Sequence, residues 1–390
     1  MNLDRAQALA VPTQAARRLL ATVHVPPSVT DPTALLRTEL QGRDPAHLFV
    51  FAPNKPSLET LSNAATQAFP TATTTGCTTA GQIGWQGYTD DTGVVIALPS
   101  RHFATKTVLI DDLQNLDPQT LVDKLVQVRT GLAHLHPDKP NGFAILLVDG
   151  LSMREDFLAA SIAPAMGSWP LFGGSAGDGT RFEQTHLSLD TRRLSGAAVL
   201  TFVATDCEAR VFSLNHLEPT GTRMIVTKAD PERRIVKEIN AEPAAREYAR
   251  IVNKDPEQLD EFTFAAHPVV VRLGETHHVR AIQRVNADGE LVFFAAIDEG
   301  MVLNVASPLS IADHLETELS KIKAGRETVD ILACDCILRK IEASQVQATH
   351  QLSDVMARNR VVGFSTYGEQ IGPLHVNHTM TGVMLVEPGV

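Results

Sequence analysis

Residues 117–155 read DPQTLVDKLVQVRTGLAHLHPDKPNGFAILLVDGLSMRE, and the order of elements in this stretch decides the fold. Asp117 and Pro118 open a helix, since proline suits the first helical position, where its missing N–H costs nothing. Leu121, Leu125, Val128 and Leu132 then recur at helical spacing and form one apolar stripe. Residues 143–148 are an unbroken apolar run of strand length, expected as a buried strand. Ser152 and Glu155 have the spacing of a capping box, which starts a second helix. Helix, buried strand and helix in succession are the alternation of an α/β chain.

The alternation extends in both directions. Residues 47–52 and 94–98 are expected strands, and Ser57 is placed to cap a helix that runs to Phe69 and stops at Pro70. Strands follow at 186–189, 197–203 and 209–214, and Asp230-Pro231 is expected to open another helix. From 268 to 307 the pattern turns to hairpins: PVVVRL, HHVRAIQRV, an Ala-Asp-Gly turn at 287–289, then LVFFAAI. A helix over 310–323, a strand at 329–334 and a closing strand at 379–387 complete the reading. The expected fold is α/β, with two related domains of mixed, partly antiparallel sheets flanked by helices. A peripheral segment spans 1–29, and the domains span 30–225 and 226–390, with their boundary between Pro219 and Asp230.

Composition removes several function classes. The 390 residues carry a net charge of -11 and no run of Lys or Arg, so a nucleic-acid partner is not expected. Hydrophobic residues make up 44%, enough for a large core, but aromatics only 5%, so that core is built from Val, Ile, Leu and Ala. Four cysteines, Cys77, Cys207, Cys334 and Cys336, are too few for a disulfide framework. Asp4, Arg5, Arg17 and Arg18 near the N-terminus do not read as a signal peptide, and no apolar run spans a membrane. The expected compartment is the cytoplasm.

Three turns share one pattern of hydroxyl, spacer, glycine, then a polar or acidic residue. They are Thr79-Ala80-Gly81-Gln82, Ser175-Ala176-Gly177-Asp178 and Thr366-Tyr367-Gly368-Glu369. Each follows an expected strand end, and glycine there admits a tight turn and close backbone approach. Lining one cleft, they would suit a small polar or charged ligand. The plainer reading is that they are turns of an internally repeated fold. Gly173-Gly174-Ser175-Ala176-Gly177 also matches the G-x-S-x-G nucleophile elbow, which raises a serine hydrolase built on Ser175. Against it, no HGGG-type loop lies upstream, Thr79 and Thr366 do not complete the elbow, and residues 169–172 (WPLF) are a poor buried strand.

These turns, with Gly76-Cys77-Thr78 before the first, Gly363-Phe364-Ser365 before the third and His375-Val376-Asn377-His378-Thr379 after it, resemble the FIST family of sensory proteins. The resemblance runs from about residue 30 to the end. It implies a small-ligand sensor in bacterial signalling rather than an enzyme. With no output domain recognisable, it implies a free-standing sensor acting on a histidine kinase or a cyclic-dinucleotide enzyme, with a homodimer left open. Cys334-Asp335-Cys336-Ile337-Leu338-Arg339, followed by Thr366-Tyr367-Gly368-Glu369-Gln370 and His375-Val376-Asn377, is similar to the nitric-oxide-sensing subgroup (NosP), which implies haem b, nitric oxide and biofilm signalling.

Haem b needs an axial ligand, usually histidine, in an apolar pocket. No C-x-x-C-H is present, so covalent haem is not expected. On the resemblance, His375 is the first axial candidate among 14 histidines, followed by His378, His267, His277 and His278. His277 and His278 are adjacent on an expected strand and face opposite ways. Arg280 and Glu369 are the charged residues expected near a ligand, Arg280 because guanidinium pairs with carboxylate. The ligand set is thus Thr79, Gly81, Ser175, Gly177, Asp178, Arg280, Thr366, Tyr367, Glu369 and Asn377. Cys334 and Cys336 read as buried small hydrophobes, with a metal or redox role as the alternative. Three functions compete: a haem gas sensor, a haem-free module binding an amino acid or similar metabolite, and the hydrolase.

Overall fold

The computed structural model describes residues 18–273, 276–326 and 329–389. Strand Asn141–Val148 is buried from residue 143 onward and runs parallel to Leu171–Ser175, with helix Glu155–Ile162 crossing between them. Ala198–Thr205 lies antiparallel on its other side, followed by Phe103–Ile110. Helix Pro118–Leu135 covers the outer face with Leu121, Leu125 and Leu132, and Asp117 caps it by accepting from the Gln119 N–H at 3.2 Å.

This unit occurs three times with the same strand order. The first has Ala21–Val25, Gly93–Pro99, Pro45–Ala52 and Thr73–Thr78; the third has Glu208–Leu214, Met380–Val386, Asp330–Cys336 and Val361–Thr366. Each sheet is completed by a hairpin strand from another unit. Leu187–Leu189 of the second pairs with Thr73–Thr78, Glu369–Ile371 of the third with Leu171–Ser175, and Gln82–Gly84 of the first with Val361–Thr366. The exchange is cyclic, so no unit is complete alone. The fold is α/β with mixed sheets flanked by helices, and its internal repetition is threefold.

The inner faces of the three sheets meet in one core. Phe49 and Phe51, Phe143 and Phe172, and Leu332 and Phe364 enter it from the first, second and third unit, and Phe51 stacks on Phe364 with centroids 4.3 Å apart. Helices cover the outer faces, so the central strands are buried on both sides and read as continuous apolar runs.

One glycine in each unit permits this convergence. Gly76, Gly173 and Gly363 stand opposite Val50, Leu146 and Ala333 in the three parallel strand pairs. A Cβ at these glycines would lie 2.4, 2.1 and 1.8 Å from the carbonyl oxygen of that partner. No side chain fits there.

The third unit carries an insertion between its first strand and helix Ile311–Lys323: an eight-stranded sheet spanning residues 217–308. Its end strands, Thr276–Val279 and Ile282–Val285, are joined by Arg280-Ala281 alone, so the sheet curls around Val236, Tyr248, Phe264, Leu291 and Leu303. The boundary expected between Pro219 and Asp230 falls inside its strand Leu217–Asp230.

Several local expectations are corrected. The segment taken as peripheral supplies the edge strand Ala21–Val25, whose alternate residues are buried. Asn54, not Ser57, caps helix Lys55–Ala68, accepting from the Ser57 N–H at 3.0 Å. Asp230-Pro231 opens only a single turn, Pro231–Arg233, because Arg234 turns left-handed (φ 55°) and enters strand Ile235–Ile239. The Ser152–Glu155 capping box does not form; Ser152 Oγ accepts from the Arg154 N–H at 3.3 Å, and Glu155 is drawn to Arg234. HHVRAIQRV breaks at Arg280, because its halves belong to opposite ends of the curled sheet.

Gly173→Ala is expected to destabilise the protein by about 3 kcal/mol or more, as the new methyl forces the two parallel strands apart. Gly131→Ala, in the exposed interior of helix Pro118–Leu135 with open space around it, should stabilise by about 0.5–1 kcal/mol. Urea denaturation of both variants checks the pair; equal midpoints would contradict the close-approach argument.

Candidate functional site

The three turns meet where the sheets converge. The Ala80 N–H donates to the Ser365 carbonyl at 2.9 Å, Gly177 to Thr78 at 2.9 Å, and Tyr367 to Ser175 at 3.3 Å. This closes a ring of backbone hydrogen bonds through all three units. The equivalent residues are therefore Ala80, Gly177 and Tyr367, so the second turn is offset by one position from its sequence alignment. The offset lies in the motif and not in the fold, because Ala80, Gly177 and Tyr367 each stand four residues after the equivalent strand glycines Gly76, Gly173 and Gly363.

The expected residues of the three turns gather at this joint, most of them as its buried fabric. The Thr79 hydroxyl lies 2.6 Å from the Gln82 amide and 3.3 Å from the Gly81 N–H. Asp178 accepts from the backbone N–H groups of Phe182, Glu183 and Gln184 at 2.9–3.2 Å and from the Tyr367 hydroxyl. Burial works to raise its carboxyl, yet Tyr367 and these N–H groups hold it below the usual carboxylate range. Tyr367 also receives the N–H groups of Asp178 and Phe182, at 3.0 and 3.2 Å, so its hydroxyl ties the third turn to the second.

Glu369 is fully buried, bonded to Thr366, and burial pushes its carboxyl well above the usual range. Both amide atoms of Asn377 are buried without a hydrogen-bond partner among the described residues. The thiols of Cys334 and Cys336 are likewise pushed well up by burial, which suits buried hydrophobes and not thiolate ligands.

Ser175 is fully buried, and its Oγ accepts from the Gln370 amide at 3.0 Å. The same amide lies 3.1 Å from His375 Nδ1, so Gln370 stands between serine and imidazole. Among the described residues no His, Asp or Glu side chain hydrogen-bonds Ser175 Oγ, and the elbow motif is here a strand end.

The same contact bears on haem. An amide N–H donated to Nδ1 leaves the proton on Nε2, which then has no lone pair for iron. His375 is only 2% exposed, and a Cβ at Gly368 would lie 2.8 Å from its Nε2. His378 fares no better, because its Nε2 donates to Glu342 at 2.7 Å. His267, His277 and His278 are half-buried in the inserted segment and line neither cleft described below. With these hydrogen bonds in place, His375 and His378 offer iron no free Nε2.

His216, Glu342 and His378 form a buried cluster with metal-like spacing. However, Arg339 Nη1 lies 2.8 Å from His216 Nδ1, and arginine only donates. The proton of His216 therefore sits on Nε2 and points at Glu342, 2.8 Å away. The cluster is a charge network: Arg339 pairs with Asp335 at 2.7 Å, and Asp335 also accepts from Tyr88 of the first unit's hairpin. Burial lowers His216 from its ordinary 6.5 to about 4. Burial works to raise Glu342, but hydrogen bonds from the two histidines prevail and hold it at about 2.

The open space lies elsewhere. A cleft of about 400 Å³ separates the loop after strand Asn141–Val148 from the inserted sheet, and a second of about 550 Å³ adjoins it, sharing Met153, Arg233 and Arg234. Arg234 is buried and neutralised, donating to Glu155 at 2.5 Å, Asp156 at 3.1 Å and the Phe294 carbonyl at 2.5 Å. Behind this cluster lie Arg280 and His375, the Arg280 guanidinium 3.4 Å from the His375 carbonyl. Tyr367 is the one expected site residue that lines the cleft, stacked on Phe182 with centroids 4.3 Å apart. Arg233, Arg284, Phe182 and Phe294 were missed. The signal available was Arg233-Arg234 after Asp-Pro, which was spent on a helix start.

A family model described as FIST N domain matches residues 46–242, and one described as FIST C domain matches residues 244–372. A search of curated proteins found no match. Among the described residues, no helix is long and apolar enough to cross a membrane.

Tyr367→Phe leaves the ring intact but unties the third turn from Asp178, and is expected to cost about 1–3 kcal/mol in chemical denaturation. His216 binds its proton less readily folded than unfolded, so the stability it contributes above pH 6.5 is lost as pH falls toward 4. Melting temperature should drop over that window, and His216→Gln should flatten the drop; an unchanged slope would show that His216 is not buried neutral.

Proposed function

This chain belongs to the FIST family, whose modules sense small ligands, and on that premise we propose a non-catalytic sensor whose ligand occupies the cleft beside Tyr367. The observation that carries this reading is the position of Tyr367. Tyr367 lines the 400 Å³ cleft, while its hydroxyl holds the second turn. A ligand that prefers one arrangement of Tyr367 and Phe182 thereby biases the joint between units, which is the differential free energy a sensor needs. The receiver is a separate cytoplasmic signalling enzyme, a histidine kinase or a cyclic-dinucleotide enzyme, on the strength of the resemblance alone. The competing haem and nitric-oxide proposal has the same warrant, and the hydrogen bonds of His375 and His378 weigh against it.

The test is a thermal-shift screen with amino acids, organic acids, nucleotides and haem, run on wild type and Gln283→Trp. Gln283 is half-buried on strand Ile282–Val285 and lines the cleft, so a tryptophan there fills it. A ligand at a hundred times its Kd should stabilise wild type by about 2.7 kcal/mol and Gln283→Trp far less. Equal stabilisation of both would move the site elsewhere. A stoichiometric Soret band that vanishes in His375→Ala would replace this proposal with the haem sensor.

A further inference from the structure

We infer that the ligand of this cleft is an aromatic anion: a planar ring carrying a phosphate or carboxylate. The inference rests on the cleft being the sensing site and adds the chemistry it selects. Two features of the lining make the argument. The first is charge. Arg233 and Arg284 are exposed at the cleft, and their side chains have no hydrogen bond or ion pair among the described residues. The nearby carboxylates of Glu155 and Asp156 are already held by Arg234. Among the described residues that line this cleft there is thus unpaired positive charge and no unpaired carboxylate, Glu232 lining only the adjoining cleft, within a chain of net charge -11. Guanidinium forks match carboxylate and phosphate oxygens in paired hydrogen bonds, and an ammonium group finds no such partner here.

The second feature is shape. Phe182 stacks on Tyr367 at an interplanar angle of 26° and stands 5.6 Å from Phe294, so these three rings adjoin one another in a cleft that Phe293 also lines. Aromatics are only 5% of this chain, which makes their grouping beside two unpaired arginines informative. A planar ring gains from offset or edge-on contact with such a wall, and an aliphatic chain of equal size does not. Ring and anion are required together.

Calorimetric titration separates the two requirements. Phenyl phosphate, benzoate and AMP carry both; adenosine carries the ring alone, inorganic phosphate and glutamate the anion alone, and tyramine a ring with a cation. At least one ring-bearing anion should bind at least tenfold more tightly than all four of the others. Arg233→Gln and Arg284→Gln should each weaken it about tenfold, with adenosine unaffected. Both sites are exposed, so the melting temperature of the unliganded variants should match wild type. Comparison of phenyl phosphate with benzoate identifies the preferred head group. Glutamate or tyramine binding as tightly as the ring-bearing anions would overturn the inference, as would binding indifferent to both substitutions or none by any ring-bearing anion. A ligand of another class that Gln283→Trp excludes would overturn the ligand chemistry and leave the cleft as the sensing site; aromatic anions that bind Gln283→Trp unchanged would overturn both.

Discussion

Gly76, Gly173 and Gly363 let three parallel strand pairs close up until a methyl group at any of them would collide with the opposing carbonyl. That approach brings the three turns near enough for Ala80, Gly177 and Tyr367 to donate backbone hydrogen bonds around a ring. Everything else is arranged around this contact. The hairpins leave the turns and complete neighbouring sheets, so the apolar inner faces cannot separate one at a time. A repeat that lends its edge to a neighbour also hides the unpaired strand edges that would otherwise invite association.

Polar groups at the joint follow from the same constraint. Turns driven into a core carry backbone and side-chain polar atoms with them, and each needs a partner. Asp178 gathers three N–H groups, Tyr367 answers Asp178, and Glu369 turns to Thr366 with its carboxyl pushed well above the usual range by burial. Arg339, Asp335, His216, Glu342 and His378 form a second such network, and Tyr88 links it to the borrowed hairpin. Breaking a buried pair of this kind costs far more than its net contribution to stability, which makes these networks better at specifying the arrangement than at strengthening it.

The cleft owes its position to the insertion in the third unit. The curled sheet of residues 217–308 is set against the loop of the second unit, with Arg234 fastened to Glu155 and Asp156 across the gap. Space remains on either side of that fastening, walled by aromatics that reach back to the central ring. A ligand held there would meet the joint through Tyr367 without entering it.

Much of the architecture was legible in the chain. Continuous apolar runs such as 143–148, the Asp117-Pro118 helix start and the recurring turns specify α/β units, because burial on both faces, capping and tight turns each leave a local mark. The identity of the residues at the joint was also visible, as was their repetition. Local pattern carries no information about partners far apart in sequence. It therefore did not show that hairpins are exchanged, or that Gln370 stands between Ser175 and His375. Nor did it show that Glu155 leaves its helix cap for Arg234, 79 residues away. Hydroxyl and acidic groups set beside backbone N–H groups at glycine turns carry the local pattern of a ligand-lining cleft. Here three turns bury one another, and only tertiary structure decides that the open space lies instead beside Arg233, Arg284 and Phe294.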